Sequence, residues 1–260
     1  LFERPDGLSP ASVGAVMNGG AANEQIAPAM ISLAVKGYIR IEEEKEKMLL
    51  GLITKHTYTL RKLKPGSGLP KEEQELLNHM FGSGQDRYEI TGTYDPSVQS
   101  MASAFRRTLR DQWHGFLNKG NNLRFLWVPV LSVIAAFIAL IVLYNNTWED
   151  NGVVYIIAFL AANLVFFVVY VKLIKKPSVE KQALRSTLLG FKMYLRAAEE
   201  KQLQHFNPPA LTPEVFEKFL PYAIAFGVEE VWGDRFQDMI NKALVDPNYR
   251  SGWYSGSIPH

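Results

Sequence analysis

The chain contains no cysteine, which excludes a disulfide framework and a thiolate metal site and fits a reducing compartment. It has no marked charge excess either: 28 Lys and Arg stand against 26 Asp and Glu, a net charge of +2. Five histidines are present, His56, His79, His114, His205 and His260, and no two stand at i, i+4. The His-Glu-x-x-His arrangement of a zinc protease is therefore missing. Lys64-Pro65-Gly66-Ser67-Gly68 lacks the Gly-Lys-Ser/Thr ending of a phosphate loop. Glu42 to Glu46 lacks the spacing and turn glycine of a calcium loop. The serines stand in no nucleophile-elbow context. These absences leave no catalytic constellation, no cofactor and no metal site, and a non-enzymatic protein is expected. The first residue is Leu1, and no basic-then-apolar segment precedes Gly7, so the expectation is a fragment or processed chain.

What is present is a very apolar centre. Residues 123–144 and 152–172 form two apolar runs, charged only at Arg124 and Lys172. Each is about the 20 residues needed to cross a hydrocarbon core of about 30 Å. Trp127, Tyr144, Trp148, Tyr155 and Tyr170 stand near the ends, as interfacial aromatic belts do. Five basic residues lie from Arg106 to Arg124 against Asp111 alone, and five more from Lys172 to Arg185 against Glu180 alone. The intervening turn, 145–151, carries only Glu149 and Asp150. Because Lys- and Arg-rich flanks stay inside, the pattern predicts a multi-pass protein of a bacterial inner membrane, with the turn outside and both arms cytoplasmic. Asn163 is the clearly polar residue within a span, a candidate intramembrane contact toward the other helix or a partner, with Ser132 as its mate.

The periodicity predicts a mainly helical fold with a small β component. Ser9-Pro10 is an N-cap followed by a first-position proline, and Asn23 caps a second helix that stops at Gly37. Tyr38 to Ile41 and His56 to Leu63 alternate as strands, separated by a charged wing over Glu42 to Lys47. This helix, helix, strand, wing, strand order makes residues 1–92 winged-helix-like. A helix follows over 70–81, with Leu76, Leu77 and Met80 as its stripe, and Tyr88 to Ile90 is a short strand. Residues 93–122 form a juxtamembrane helix, with Val98, Met101, Phe105, Leu109, Trp113 and Phe116 on one face. That face packs on a core or lies along the bilayer. The two spans cover 123–144 and 152–174. A helical region follows over 175–245, with Pro221 kinking or restarting one helix. The tail, 246–260, is expected to be irregular. The arms are long enough for one small domain each, or for two halves of one domain.

Arg4-Pro5-Asp6-Gly7-Leu8-Ser9-Pro10, Leu33-Ala34-Val35-Lys36-Gly37-Tyr38-Ile39 and Gly190-Phe191-Lys192 resemble the DUF2207 family of predicted bacterial membrane proteins. The most specific block is Phe216-Glu217-Lys218-Phe219-Leu220-Pro221-Tyr222-Ala223-Ile224-Ala225-Phe226-Gly227-Val228, continued by Trp232, Phe236 and Trp253-Tyr254. The resemblance implies an upstream signal peptide, an extracytoplasmic β-rich domain and a further span in typical members. It implies no activity.

The winged-helix pattern raises a membrane-tethered nucleic-acid binder as the alternative function. Electrostatics oppose it, because residues 1–92 hold eleven basic and twelve acidic side chains and the second helix offers Lys36 alone. The leading expectation is a scaffold or signal-coupling module that presents cytoplasmic domains to unidentified protein partners beside the lipid bilayer. Glu217, Lys218, Tyr222, Trp232 and Trp253 are the candidate protein-contact residues, and a second reading makes the aromatic members the core of a helical domain.

Overall fold

The computed structural model describes residues 7–48, 53–90, 95–120, 122–144, 152–174, 177–196, 212–245 and 252–255. The chain forms two units. One combines Leu1–Leu117 with Ala183–His260, and the other is Asn118–Gln182. The first is therefore discontinuous in sequence, with the second inserted into it. The fold is mainly helical with one small sheet.

In the discontinuous unit, helix α1 (Pro10–Asn18) starts where Ser9 accepts a hydrogen bond from the Ser12 amide at 3.0 Å. Pro10 costs nothing at the first helical position, where its missing N–H has no helical partner to lose. Pro10 through Val16 are all buried. A single 3-10 turn, Asn23–Gln25, leads into α2 (Ile26–Val35), so Asn23 begins that turn and does not cap α2 directly. Gly37 closes α2 at φ 73°, with Tyr38 N donating to Leu33 O and Gly37 N to Ala34 O. This left-handed closure turns the chain into the first strand.

Strands β1 (Ile39–Met48) and β2 (Ile53–Lys62) pair antiparallel over ten residues, from Ile39 opposite Lys62 to Met48 opposite Ile53. The charged stretch expected as a wing is thus ladder-paired strand. Opposite it lie Thr54, His56, Thr57 and Tyr58, whose β-branched and aromatic character favours extended backbone. After α3 (Lys71–Met80), strand β3 (Arg87–Ile90) pairs with β2. The row Arg40, Arg61, Arg87 runs across three strands, and such like-charge neighbours repel. Glu42 in the adjacent row relieves this by meeting Arg61 at 3.3 Å. The tail is not wholly irregular, because β4 (Tyr254–Ser255) adds parallel to β1 and Ile41 N donates to Trp253 O at 2.8 Å. The sheet order is β3-β2-β1-β4.

Helix α4 (Pro96–Asn118) buries Met101, Phe105 and Leu109, so its apolar stripe faces the core and not a bilayer. Helix α7 (Val179–Arg196) follows Pro177 and Ser178, whose Oγ accepts from Lys181 N at 3.2 Å. Residues 197–211 of the expected helical region lie outside the described ones. Helix α8 (Pro213–Phe226) continues through Pro221, which is buried within it. Proline removes one backbone hydrogen bond there without breaking the helix. Gly227 ends α8 at φ 63°, and α9 (Glu229–Val245) follows.

Two cores result. The first gathers the sheet, α2, α3 and α4 around Leu33, Ile39, Leu60, Leu77 and Phe105, with Ala11 and Ala15 of α1. The second gathers Val13 and Val16 of α1 with Leu188, Phe191, Phe219, Tyr222 and Trp232 of α7, α8 and α9. Helix α1 thus lies between a core from its own arm and a core from the other arm. Its small residues permit this, because both faces of the helix must approach neighbours closely. Helix α8 packs on both α1 and α2.

The inserted unit contains a 3-10 turn, Leu123–Leu126, then α5 (Trp127–Tyr144) and α6 (Gly152–Ile174). One helical stretch, Ile156–Ile174, is long and apolar enough to cross a membrane, and none of its residues is fully buried within the protein. A shorter apolar stretch covers Trp127–Val142. Along α6 partial burial recurs at Ile156, Phe159, Asn163, Phe167 and Tyr170, and along α5 Pro129 is buried and Val133, Phe137 and Leu140 are partly so. These steps of three and four mark one covered stripe on each helix. Lys119 and Glu180 meet at 2.6 Å at the base of this unit. The turn, 145–151, lies outside the described residues.

Candidate functional site

The densest buried polar cluster centres on Glu72 and Glu73 in the first turn of α3, both with no exposure. They lie on the stripe of Leu76, Leu77 and Met80, one helical turn before it. Burying a carboxylate is costly unless donors surround it. Glu72 accepts at Oε1 from the hydroxyls of Ser9 and, at 3.1 Å, Ser12, and at Oε2 from Gln112 Nε2 at 2.7 Å. Trp113 Nε1 donates to Ser12 Oγ at 2.9 Å and extends the network to α4. Glu73 accepts from Ser32 Oγ at 2.8 Å and from Lys36 Nζ at 2.6 Å. Burial pushes the Glu73 carboxyl above its ordinary range, while Lys36 and Ser32 pull it back and neighbouring Glu72 adds to the rise. Two adjacent carboxylates therefore tie α3 to α1, α2 and α4. Both are enclosed and supplied with donors from their own unit, so neither offers a free oxygen to a substrate. Sequence reading missed the pair because charged residues in a first turn ordinarily face water and the helix dipole. The available signal was their register with the leucines.

Two hollows open on the same unit. One of about 500 Å³ lies along α3 and α4, lined by Glu75, His79, Ser103, Arg107, Thr108 and Asp111. Its polar side chains meet partners on their own helices: His79 Nδ1 lies 3.6 Å from Glu75, and Arg107 Nε 3.9 Å from Asp111. The other, about 320 Å³, is lined by Asn18, Glu24, Gln25 and the end of α8. Among the described residues, no group of three His, Asp or Glu side chains is placed to share a metal ion.

Of the expected contact residues, Tyr222 and Trp232 are interior. Tyr222 donates to Leu8 O at 2.9 Å, and Trp232 Nε1 to Phe216 O at 3.3 Å. Six aromatic rings, Phe191, Tyr194, Phe219, Tyr222, Phe226 and Trp232, meet mostly edge to face at centroid distances of 5.5–6.2 Å. Trp253 is half-buried against the first core. Glu217 is half-buried, and exposed Lys218 lies 5.4 Å from the ring centroid of Phe219. The expected cluster is therefore divided between interior and surface. Asn163 Nδ2 donates to Phe159 O at 2.8 Å, and Ser132 Oγ to Pro129 O at 2.8 Å. These two side chains thus bond within their own helices, whereas Tyr170 of α6 donates its hydroxyl to Phe125 O at 3.4 Å.

Residues 1–236 match the family described as "Predicted membrane protein (DUF2207) C-terminal domain". The chain belongs to the DUF2207 family. No curated protein and no solved structure matches it. The matched DUF2207 region includes the first arm with its buried carboxylate pair, the two apolar helices and the second arm as far as Phe236. The family description agrees with the apolar helix at Ile156–Ile174.

Proposed function

We propose that α5 and α6 cross the bacterial inner membrane as a hairpin, and that the discontinuous unit is a non-enzymatic scaffold or coupling module for partner proteins on the cytoplasmic side. The observation that carries this reading is the shared second core, in which Val13 and Val16 from before the hairpin join Phe191 and Trp232 from after it. Segments that share a core share a compartment, so an even number of crossings separates them. If α6 alone crossed, α1 and α7 would be on opposite sides. Helix α5 has 18 residues and the 3-10 turn before it four more, enough for about 30 Å of hydrocarbon. The Lys- and Arg-rich flanks favour the cytoplasm for both arms.

The scaffold reading draws on the carboxylate pair, whose oxygens are committed to serines, Gln112 and Lys36. The nucleic-acid alternative fares poorly against the same packing. Helix α2, which would read a groove, has no charged side chain within Ile26–Val35 and packs under α8. Duplex affinity rests largely on phosphate neutralisation, which such a helix does not supply.

Photo-crosslinkers placed at exposed Lys218 and Glu229 of the full chain in intact membranes test the proposal. Discrete protein adducts of constant mass are expected from both. A ladder of random adducts, or none, contradicts a partner-presenting surface.

A further inference from the structure

We propose that the outer face of α7 lies on anionic phospholipid headgroups, an inference that rests on the membrane-hairpin reading above. Met193 is 71% exposed and Leu189 45%, the most exposed large apolar side chains described in the discontinuous unit. They stand at i, i+4 and so share one stripe, while Leu188, Phe191 and Leu195 on the opposite side are buried. The stripe is bordered by Arg185, Lys192 and Arg196, and residues 181–196 contain four basic side chains and no acid. The one acid of α7, Glu180, is already bound to Lys119.

An apolar stripe edged with cations and facing water is the pattern of a helix seated at a lipid interface, where apolar groups enter the headgroup boundary and cations meet phosphates. Chain length permits this seat. Helix α6 ends at Ile174 and α7 begins at Val179, a step of five residues that reaches about 17 Å at full extension. The occupant is the anionic leaflet and not an acidic protein, because α7 starts five residues after a helix that reads as a membrane span and because the negative potential of anionic headgroups attracts basic side chains without a shaped pocket for any one headgroup.

The absence of cysteine allows single reporters. Met193→Cys carrying an environment-sensitive fluorophore is placed in the full chain, reconstituted into discs of phosphatidylcholine alone or with phosphatidylglycerol. Leu164→Cys, at a 65% exposed position on α6, serves as the hairpin reporter. The expected result is blue-shifted Leu164 emission in both discs, and a Met193 blue shift only with phosphatidylglycerol, reversed by high salt and abolished by Arg185→Glu with Arg196→Glu. Blue-shifted Leu164 with Met193 emission unchanged by lipid, or changed only on adding an acidic protein, overturns the α7 inference alone. Water-like emission from Leu164 overturns the hairpin reading beneath it.

Discussion

Tyr222 donates its hydroxyl proton to the carbonyl oxygen of Leu8 at 2.9 Å, across a separation of 214 residues and the whole apolar centre of the chain. The bond joins α8 to the entry of α1 and lies beside the aromatic core built around Phe191. Removing it leaves the Leu8 carbonyl without this donor, which costs about 1 kcal/mol. Tyr222→Phe is therefore expected to lower the unfolding midpoint of the detergent-solubilised chain while both arms stay folded. A variant as stable as the parent contradicts a contribution from this bond.

Phe191 meets the rings of Tyr194, Phe219, Tyr222 and Phe226 at centroid distances of 5.5–6.2 Å. Truncating a buried aromatic side chain costs about 3–5 kcal/mol. Phe191→Ala is expected to produce the larger loss, and Met193→Ala, on the exposed side of the same helix, a change within about 0.5 kcal/mol. Thermal unfolding of the two variants side by side gives the ordering. Equal losses contradict the assignment of faces on α7.

Glu73 sets a pH dependence whose sign follows from its environment. Burial raises its folded-state pKa above the ordinary 4.5, so as pH rises the unfolded chain releases this proton first. Stability from this group is complete below 4.5 and is lost as pH climbs through the raised value. Asp95 and Glu214 move oppositely, lowered by hydrogen bonds with Ser97 and Thr212, and contribute stability that falls on acidification. Comparing the parent with Glu73→Gln cancels them. The parent is expected to lose stability relative to the variant as pH rises above 4.5, read from unfolding midpoints across the series. A relative gain would reverse the assignment of burial as the dominant effect.

How much of this was legible in the sequence depends on how far each feature reaches along the chain. The caps at Ser9, Gly37 and Gly227 need only their neighbours, and all three stand where the residues imply. The apolar stripe of α4 was legible, but its partner surface was not, since periodicity identifies a face without naming what covers it. The long β1–β2 ribbon was hidden because Glu42 to Lys47 resembles a solvated loop, whereas a backbone ladder tolerates charges on its faces. Strand β4 depends on Trp253 O reaching Ile41 N, a contact with no local signature. The inward placement of Glu72 and Glu73 required serines from α1 and α2 that only the folded arrangement supplies.

Gly227 holds φ at 63°, and nothing lies within 4 Å of where a Cβ would stand. The backbone alone therefore opposes substitution, at about 1–2 kcal/mol for a side chain in the left-handed region. Gly227→Ala is expected to lower stability by that amount. Gly14→Ala is expected to disturb local packing as well, because its Cβ would meet Gln25 Cγ at 2.9 Å. Unfolding of both variants, with hydrogen exchange across α1, separates the two causes. Exchange that is unaltered in Gly14→Ala contradicts the close approach.

The most direct test of the shared core uses single cysteines at Arg107 on α4, Lys218 on α8 and Thr147 in the intervening turn, each in the full chain. A membrane-impermeant maleimide is added to sealed inside-out vesicles. Arg107→Cys and Lys218→Cys are expected to react together and Thr147→Cys only after the membrane is opened. Labelling of Arg107→Cys and Lys218→Cys from opposite faces, or of all three from one face, contradicts a discontinuous unit held by a transmembrane hairpin.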